Sequence, residues 1–438
     1  MSTTLEQYGD AKTAARLAPQ WLSRVIVVTS LASCLELFDF TVFALFAATI
    51  GQQFFPAANP MTSLLLAVGT FGVGFLMRPL GAIWIGRRAD QNGRRAALAL
   101  TTGLMTVGTA AIALCPPYAR IGIAAPLVMV LARALQGLAA GGEVGAAASY
   151  AMELSPRHLR GYVLSWQLAG QGAAAFLGAS MGMLLTHWLS PASLSAWGWR
   201  LPFGFGLLIA PVGAYVRHRL PDLPPHDAST GATPLPLITL FRVHGAAIAL
   251  ATLMMLWRTV PVYTIVFYLP SYLTHIEHWP AMVGFRCSAL SALMLVVFAP
   301  LSGRLADRLP RRKPLLLMTS GLTTVLIYPL FFVMTQLHHE SAMLAGVCLV
   351  SALVALGAGS GALLVLEHFP AQARASGLAL SYAIGVALFG GTAQFVVTAL
   401  VKWTGNPMSV AWYVAPACLV SFVAVMMFRE RLRGSERA

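Results

Sequence analysis

The chain has 438 residues, 58% of them apolar and only 10% charged, whereas a water-soluble domain carries about 25% charged residues; a soluble enzyme or binding module is excluded. The formal net charge of +14 sits in short loops between apolar runs, a placement that fits a membrane protein with basic loops on one side and argues against a nucleic-acid partner. A helix of about 20 apolar residues crosses a hydrocarbon layer roughly 30 Å thick. Twelve such runs, spans 1 to 12, are centred near residues 37, 75, 105, 138, 173, 208, 258, 292, 323, 354, 387 and 418.

The first twenty residues are polar and hold no short apolar core with a cleavage site, so span 1 is expected to be retained. That span carries Glu36 and Asp39, three residues apart and hence on one helix face. A charge at the bilayer centre costs about 2.5–3.5 kcal/mol on insertion scales, so each needs a reason. Burial favours the neutral carboxyl and a nearby guanidinium favours the charged one, which together make a proton carrier that responds to the state of a cavity. A static ion pair that only aids packing is the plain alternative. In span 2, Arg78 beside Pro79 is expected to bond carbonyls freed by the proline. Span 4 holds Arg133, then Gly137, Gly141, Gly142, Glu143 and Gly145; the glycines mark a close helix contact, and Glu143 reads as a structural or gating charge.

Two loop motifs repeat. Gly86-x3-Asp90-x2-Gly93-Arg94-Arg95 after span 2 is echoed by Gly303-x3-Asp307-x2-Pro310-Arg311-Arg312 after span 8, and Glu153-x2-Pro156-x3-Arg160 after span 4 by Glu367-x2-Pro370-x3-Arg374 after span 10. Two independent motifs at nearly one offset identify a duplication. Their Asp, Glu and Arg can latch one half to the other, the carboxylate facing a helix N-terminus or a guanidinium; a topology signal with turn chemistry is the plainer reading. The expected architecture is an all-α membrane protein with twelve transmembrane helices in two six-helix pseudo-symmetric bundles: residues 1–217, a proline-rich cytoplasmic linker 218–244, and residues 245–438. Parallel repeats place a substrate site at the midplane between the halves.

That site has donors for a carboxylate, because guanidinium forks hold carboxylates bidentately. Arg133 and Arg258 lie in different halves. Gln167, Gln171, Tyr263, Tyr268 and Gln394 can add neutral donors, although each is as readily a helix–helix hydrogen bond. Arg200 begins span 6 as an anchor or an anion attractor. The five cysteines (Cys34, Cys115, Cys287, Cys348 and Cys418) have no metal or redox spacing and read as packing residues. No metal or organic cofactor is expected; protons serve as the coupling ion.

The first loop motif, with Arg133-x2-Gln136-Gly137 and Glu153-x2-Pro156-x3-Arg160-Gly161, resembles the major facilitator superfamily. Glu36-Leu-Phe-Asp39-Phe40, Arg78-Pro79-Leu-Gly81 and Gly141-Gly142-Glu143 resemble its metabolite:proton symporter family. Ser165-Trp166-Gln167, Trp197-Gly198-Trp199-Arg200 and Phe389-Gly390-Gly391 are most similar to its citrate and tricarballylate carriers. Gln91 stands where a basic residue is usual, Pro310 where a Gly is, and Arg258 where a small polar residue is. The resemblance implies that Asp39 pairs with Arg133 and that the chain imports citrate or another di- or tricarboxylate with protons by alternating access. A betaine-like zwitterion or cation, shikimate or 2-oxoglutarate are the other substrates it admits, and a drug exporter or a non-transport membrane protein the remote ones. The expected setting is the bacterial inner membrane, with both termini cytoplasmic, lipid around the chain, and a monomer.

Overall fold

The computed structural model describes residues 11–92, 94–154, 157–207, 237–369, 374–428 and 430. Among the described residues every element is helical. Nine helices are long and apolar enough to cross a membrane, and Ser33–Leu45 with Ala47–Phe54, bent by 65°, makes a tenth if the bent pair is one span. Leu100–Leu114 is a shorter apolar helix at the position of span 3, and residues 201–207 are the helical start of span 6, whose predicted centre at 208 lies outside the described residues. The outward-facing side chains are apolar, with Leu114, Ile123, Leu131, Val325 and Trp403 all exposed. In water that surface would be costly, and in hydrocarbon it is the expected finish.

The helices pair in a pattern that shows the duplication. In the first half span 1 (Ala11–Leu45) packs on span 5 (Arg160–Trp188), and span 4 (Ala124–Leu154) on span 2 (Pro60–Leu76 and Arg78–Asn92) and on span 3 (Arg94–Leu114). Six spans on, the pairs recur. Span 7 (Leu237–Met254, continuing to His275) packs on span 11 (Arg374–Gly385, continuing to Thr404). Span 10 (Glu340–His368) packs on span 8 (Ala281–Arg308) and span 9 (Lys313–Phe332), and span 12 (Ser409–Met427) closes against span 9. The halves meet through spans 5 and 8 and through spans 2 and 11, pairs that exchange under the same six-span shift. The helix of span 7 begins at Leu237, inside the stretch read as linker, and breaks at His244, whose φ of −119° and ψ of 16° are not helical.

The halves differ in helix regularity. Spans 2 and 4 lie backbone against backbone: a side chain at Gly137 would strike the Gly74 carbonyl, and one at Gly141 the Arg78 carbonyl. Small residues allow this approach where no solvent drives helices together. The second half repeats such an approach where Gly359 meets the Gly303 backbone, and among the described residues it also holds three π-helical segments, Val262–Tyr268 in span 7, Val333–Leu337 in span 9 and Val386–Gly390 in span 11. Pro270 has no N–H to return to the Val266 carbonyl four residues back; the Ser288 hydroxyl of span 8 donates to that carbonyl. Such local widening changes which side chains face inward.

Candidate functional site

Span 1 presents its acids to different neighbours. Asp39 is buried, and its Oδ2 accepts from the Thr109 hydroxyl of span 3 and, at 3.4 Å, from Gln136 Nε2 of span 4. Gln136 Nε2 also reaches Thr109 Oγ1 at 2.9 Å. The expected ion pair between Asp39 and Arg133 is not formed. Arg133 donates through Nη2 to the Asp39 backbone carbonyl at 3.1 Å and through Nη1 to Gln136 Oε1 at 2.9 Å. Its guanidinium lies 3.9 Å from the Phe43 ring centre and 5.1 Å from that of Phe40. Arg133 is thus enclosed, with both terminal nitrogens engaged and only its buried Nε without a hydrogen-bond partner among the described residues. Asp39 Oδ1 is buried with no hydrogen-bond partner among the described residues.

Glu36, one turn earlier, points elsewhere. It pairs with Arg78 Nη1 at 3.7 Å, both side chains being buried. Arg78 sits 4.2 Å from the Phe75 ring centre and 4.8 Å from that of Phe40. Its Nε and Nη2 have no hydrogen-bond partner among the described residues, so the expected bonds to proline-freed carbonyls are replaced by an ion pair inside an aromatic box. A buried pair of this kind is costly to break from one side only.

The second half closes that box. Tyr263, from the π-helical segment of span 7, meets Phe75 edge to face at 5.3 Å and Phe71 at 6.5 Å. It lies within electrostatic reach of Arg78, Tyr382, Glu36 and Arg258, so these side chains belong to one neighbourhood where the halves meet, taken as the cleft. Arg258 is half-buried and stands 5.7 Å over the Tyr382 ring. Among the described residues it makes no hydrogen bond and no ion pair. Gln171 of span 5 donates from Nε2 to the Tyr382 hydroxyl at 3.1 Å, across the cleft. Gln167 is half-buried and makes no hydrogen bond to a described residue. Tyr268 is placed differently: it is buried and its hydroxyl accepts from Thr398 of span 11 at 2.8 Å, a helix–helix bond. Gln394, one turn before Thr398, is fully buried with both amide atoms unpartnered among the described residues.

The halves touch on both sides of the cleft. At the end carrying the basic loops, the Asp307 carboxylate accepts from the backbone N–H groups of Gly161 and Tyr162 at 2.9 and 2.8 Å. These are the first turn of span 5, where unpaired N–H groups and the helix dipole favour an anion. A side chain at Gly161 would collide with Asp307 Oδ1 and the Gly303 carbonyl, so glycines on both helices permit the contact. Arg304 donates to the Tyr162 hydroxyl at 3.1 Å. Arg311 is exposed, whereas Arg312 is buried and donates from Nε to the Ala306 carbonyl at 3.0 Å. Arg160 at this end is half-buried. The side chains of Asp90, Arg94, Glu143, Glu153, Glu367 and Arg374 lie outside the described residues. At the opposite end Lys402 donates to Thr62 at 2.9 Å and Phe46 meets Phe285 at 5.5 Å. Arg200 there donates to the Ala113 and Cys115 carbonyls at 3.0 and 2.8 Å, which anchors the end of span 3.

Sequence reasoning left Thr109, Gln136 and Tyr382 without roles. Gln136 had a signal, lying one turn from Arg133 on the same face. Thr109 and Tyr382 are single polar residues in apolar runs, and nothing local marks them. No group of three His, Cys, Asp or Glu among the described residues is placed to hold a metal ion.

Known proteins resemble the chain along nearly all of its length. The Major Facilitator Superfamily profile matches residues 29–386. A citrate-proton symporter of Klebsiella pneumoniae is 32% identical, covering 94% of this chain and 92% of that one. An alpha-ketoglutarate permease of Escherichia coli K12 is 33% identical over 93% and 94%, and a proline/betaine transporter of the same strain is 30% identical over 93% and 84%. Among solved structures, a D-xylose-proton symporter superposes with a TM-score of 0.76 at 16% identity, covering 95% of this chain and 99% of that chain.

Proposed function

Since the chain belongs to the major facilitator superfamily, we propose that it imports a small di- or tricarboxylate, citrate among them, together with protons by alternating access. Arg258 carries the substrate part of this reading. A half-buried guanidinium in the cleft with no acidic partner among the described residues costs desolvation that an incoming carboxylate would offset with charge-assisted bonds. Relatives named for citrate and alpha-ketoglutarate support the same class. A quaternary ammonium would need an aromatic box and a free anion, but here Arg78 fills the Phe40–Phe75 box and neutralises Glu36.

Asp39 is the proposed proton carrier. One of its oxygens is held by Thr109 and Gln136 while the other is buried and unpartnered, an arrangement that suits a carboxyl able to hold a proton. Losing that proton leaves a buried charge, with Arg133 close by on the Asp39 carbonyl to moderate the cost. The proton would enter with substrate from outside and leave inside, and the Asp307 contact would hold the basic end shut in the meantime. By the positive-inside rule that end and both termini face the cytoplasm of a bacterial inner membrane. Both halves that meet at the cleft belong to one chain, so the monomer is the proposed working unit.

Uptake into proteoliposomes under an imposed pH gradient tests the reading, with citrate, 2-oxoglutarate, tricarballylate, shikimate and betaine compared. Carboxylate accumulation is expected; accumulation of betaine alone would sink the substrate class. Asp39→Asn is expected to lose gradient-driven accumulation while keeping substrate exchange. Normal accumulation by that variant would remove Asp39 from the coupling step.

A further inference from the structure

The Tyr382 side chain joins three features of the cleft. Its ring lies under the Arg258 guanidinium at 5.7 Å, its hydroxyl accepts from Gln171 Nε2 at 3.1 Å, and it is within electrostatic reach of Tyr263. Gln171 belongs to span 5 and Tyr382 to span 11, so this bond crosses between the halves. A phenol has one proton to give. Here its oxygen is the acceptor of the Gln171 bond, and the hydroxyl donates to no described residue. The Arg258 N–H groups beside it likewise meet no acceptor among the described residues. Two unspent donor groups, one charged and one neutral, thus belong to two second-half side chains in contact with each other.

We propose that Tyr382 is a specificity-determining residue that donates its phenolic proton to the ligand carboxylate held by Arg258, and that Gln171 positions it only when the two halves close. The ring adds a second effect, because an aromatic face beneath a guanidinium limits its orientations and presents the fork ready to bind. Gln171 reaches the phenol only while span 5 and span 11 are drawn together. An anion bound to Arg258 and Tyr382 therefore favours the closed cleft by as much as its affinity differs between the closed and open arrangements. A neutral ligand of the same size gains little from either donor. The residue thereby ties recognition of negative charge to the closing movement. This assignment rests on the carboxylate reading above.

The test is citrate binding to the purified full-length protein by calorimetry, paired with exchange kinetics in proteoliposomes. Tyr382→Phe keeps the ring under Arg258 and removes only the hydroxyl, and its Kd is expected to rise about tenfold or more, the usual effect of losing a bond to a charged group. Arg258→Ala with Tyr382→Phe is expected to bind little worse than Arg258→Ala alone, because the two donors act on one carboxylate. Gln171→Leu, in the other half, is expected to raise Kd only about threefold while lowering the exchange rate constant, since it spares both donors and weakens closure. Wild-type affinity in Tyr382→Phe, or losses that add independently with Arg258→Ala, would overturn the assignment. If Gln171→Leu exchanges at the wild-type rate, the positioning role falls. Failure of the wild type to bind any carboxylate would instead remove the reading on which this rests.

Discussion

The two walls of the cleft handle charge in opposite ways. In the first half every described ionisable group near the midplane is engaged: Glu36 with Arg78, Asp39 with Thr109 and Gln136, and Arg133 with the Asp39 carbonyl and Gln136. In the second half Arg258 rests on Tyr382 with no acid against it among the described residues. Backbone does not divide so cleanly: close glycine packing joins spans 2 and 4 and also Gly359 to Gly303 of span 8, while the described π-helical segments fall in the second half. A duplicated chain can give its two copies different tasks. The first copy, with partners fixed around Asp39, suits proton handling in the proposed mechanism, and the second suits recognition of an incoming anion.

The largest effect is expected where the paired wall is broken. Arg78→Ala leaves Glu36 buried without its partner, which should cost about 3–5 kcal/mol of stability, read as a lower melting temperature in detergent. A melting curve like the wild type's would mean that the pair is not structural. Removing charge from the open wall should spare folding and damage binding. Arg258→Ala is expected to raise the carboxylate KM about ten- to a hundredfold with the melting temperature unchanged, and a large stability loss there would erase the contrast between the halves.

A smaller effect is expected at the basic end. Asp307→Asn keeps an acceptor for only one of the Gly161 and Tyr162 N–H groups, turns an NH2 toward the other, and removes a charge worth about 1 kcal/mol at a helix N-terminus. A cysteine placed in the cleft should then become about fivefold more accessible from that side; unchanged labelling would show that the contact does not hold the end shut. The smallest effect concerns Glu277 in the loop after span 7, whose carboxyl is pushed above its ordinary range by burial, against the opposing pull of His338 and a Tyr272 bond. A raised carboxyl pKa favours the fold at low pH, and that contribution is lost as pH rises through the raised value. Glu277→Gln is expected to flatten this decline and gain roughly 1–2 °C in melting temperature at neutral pH. An equally steep decline in the variant would assign the pH dependence to another group.

The intramembrane charges were legible because a charge in an apolar run needs a reason, and Glu36, Asp39 and Arg258 stand out on that ground alone. Their partners were not. Thr109 lies 70 residues from Asp39 and Gln136 lies 97, so no local spacing links them. The burial of Arg133 was not legible either, because its aromatic cover comes from Phe40 and Phe43 on another helix. Tyr263 and Tyr268 look equivalent along the chain, yet the π-helical segment turns one toward Phe75 and the other toward Thr398.

Composition determined the solvent, and the paired loop motifs determined the duplication, because both are properties of segments that report on their own surroundings. Helix position followed from apolar run length for the same reason. Tertiary packing alone decided which charges were neutralised, since an ion pair or a hydrogen bond depends on atoms from distant spans meeting within a few ångströms. It also decided that Asp307, and not Arg311, meets the opposite half at the basic end. The guanidinium of Arg258 is the clearest case: the sequence places a base in the membrane, but only the assembled halves show it without an acid among the described residues.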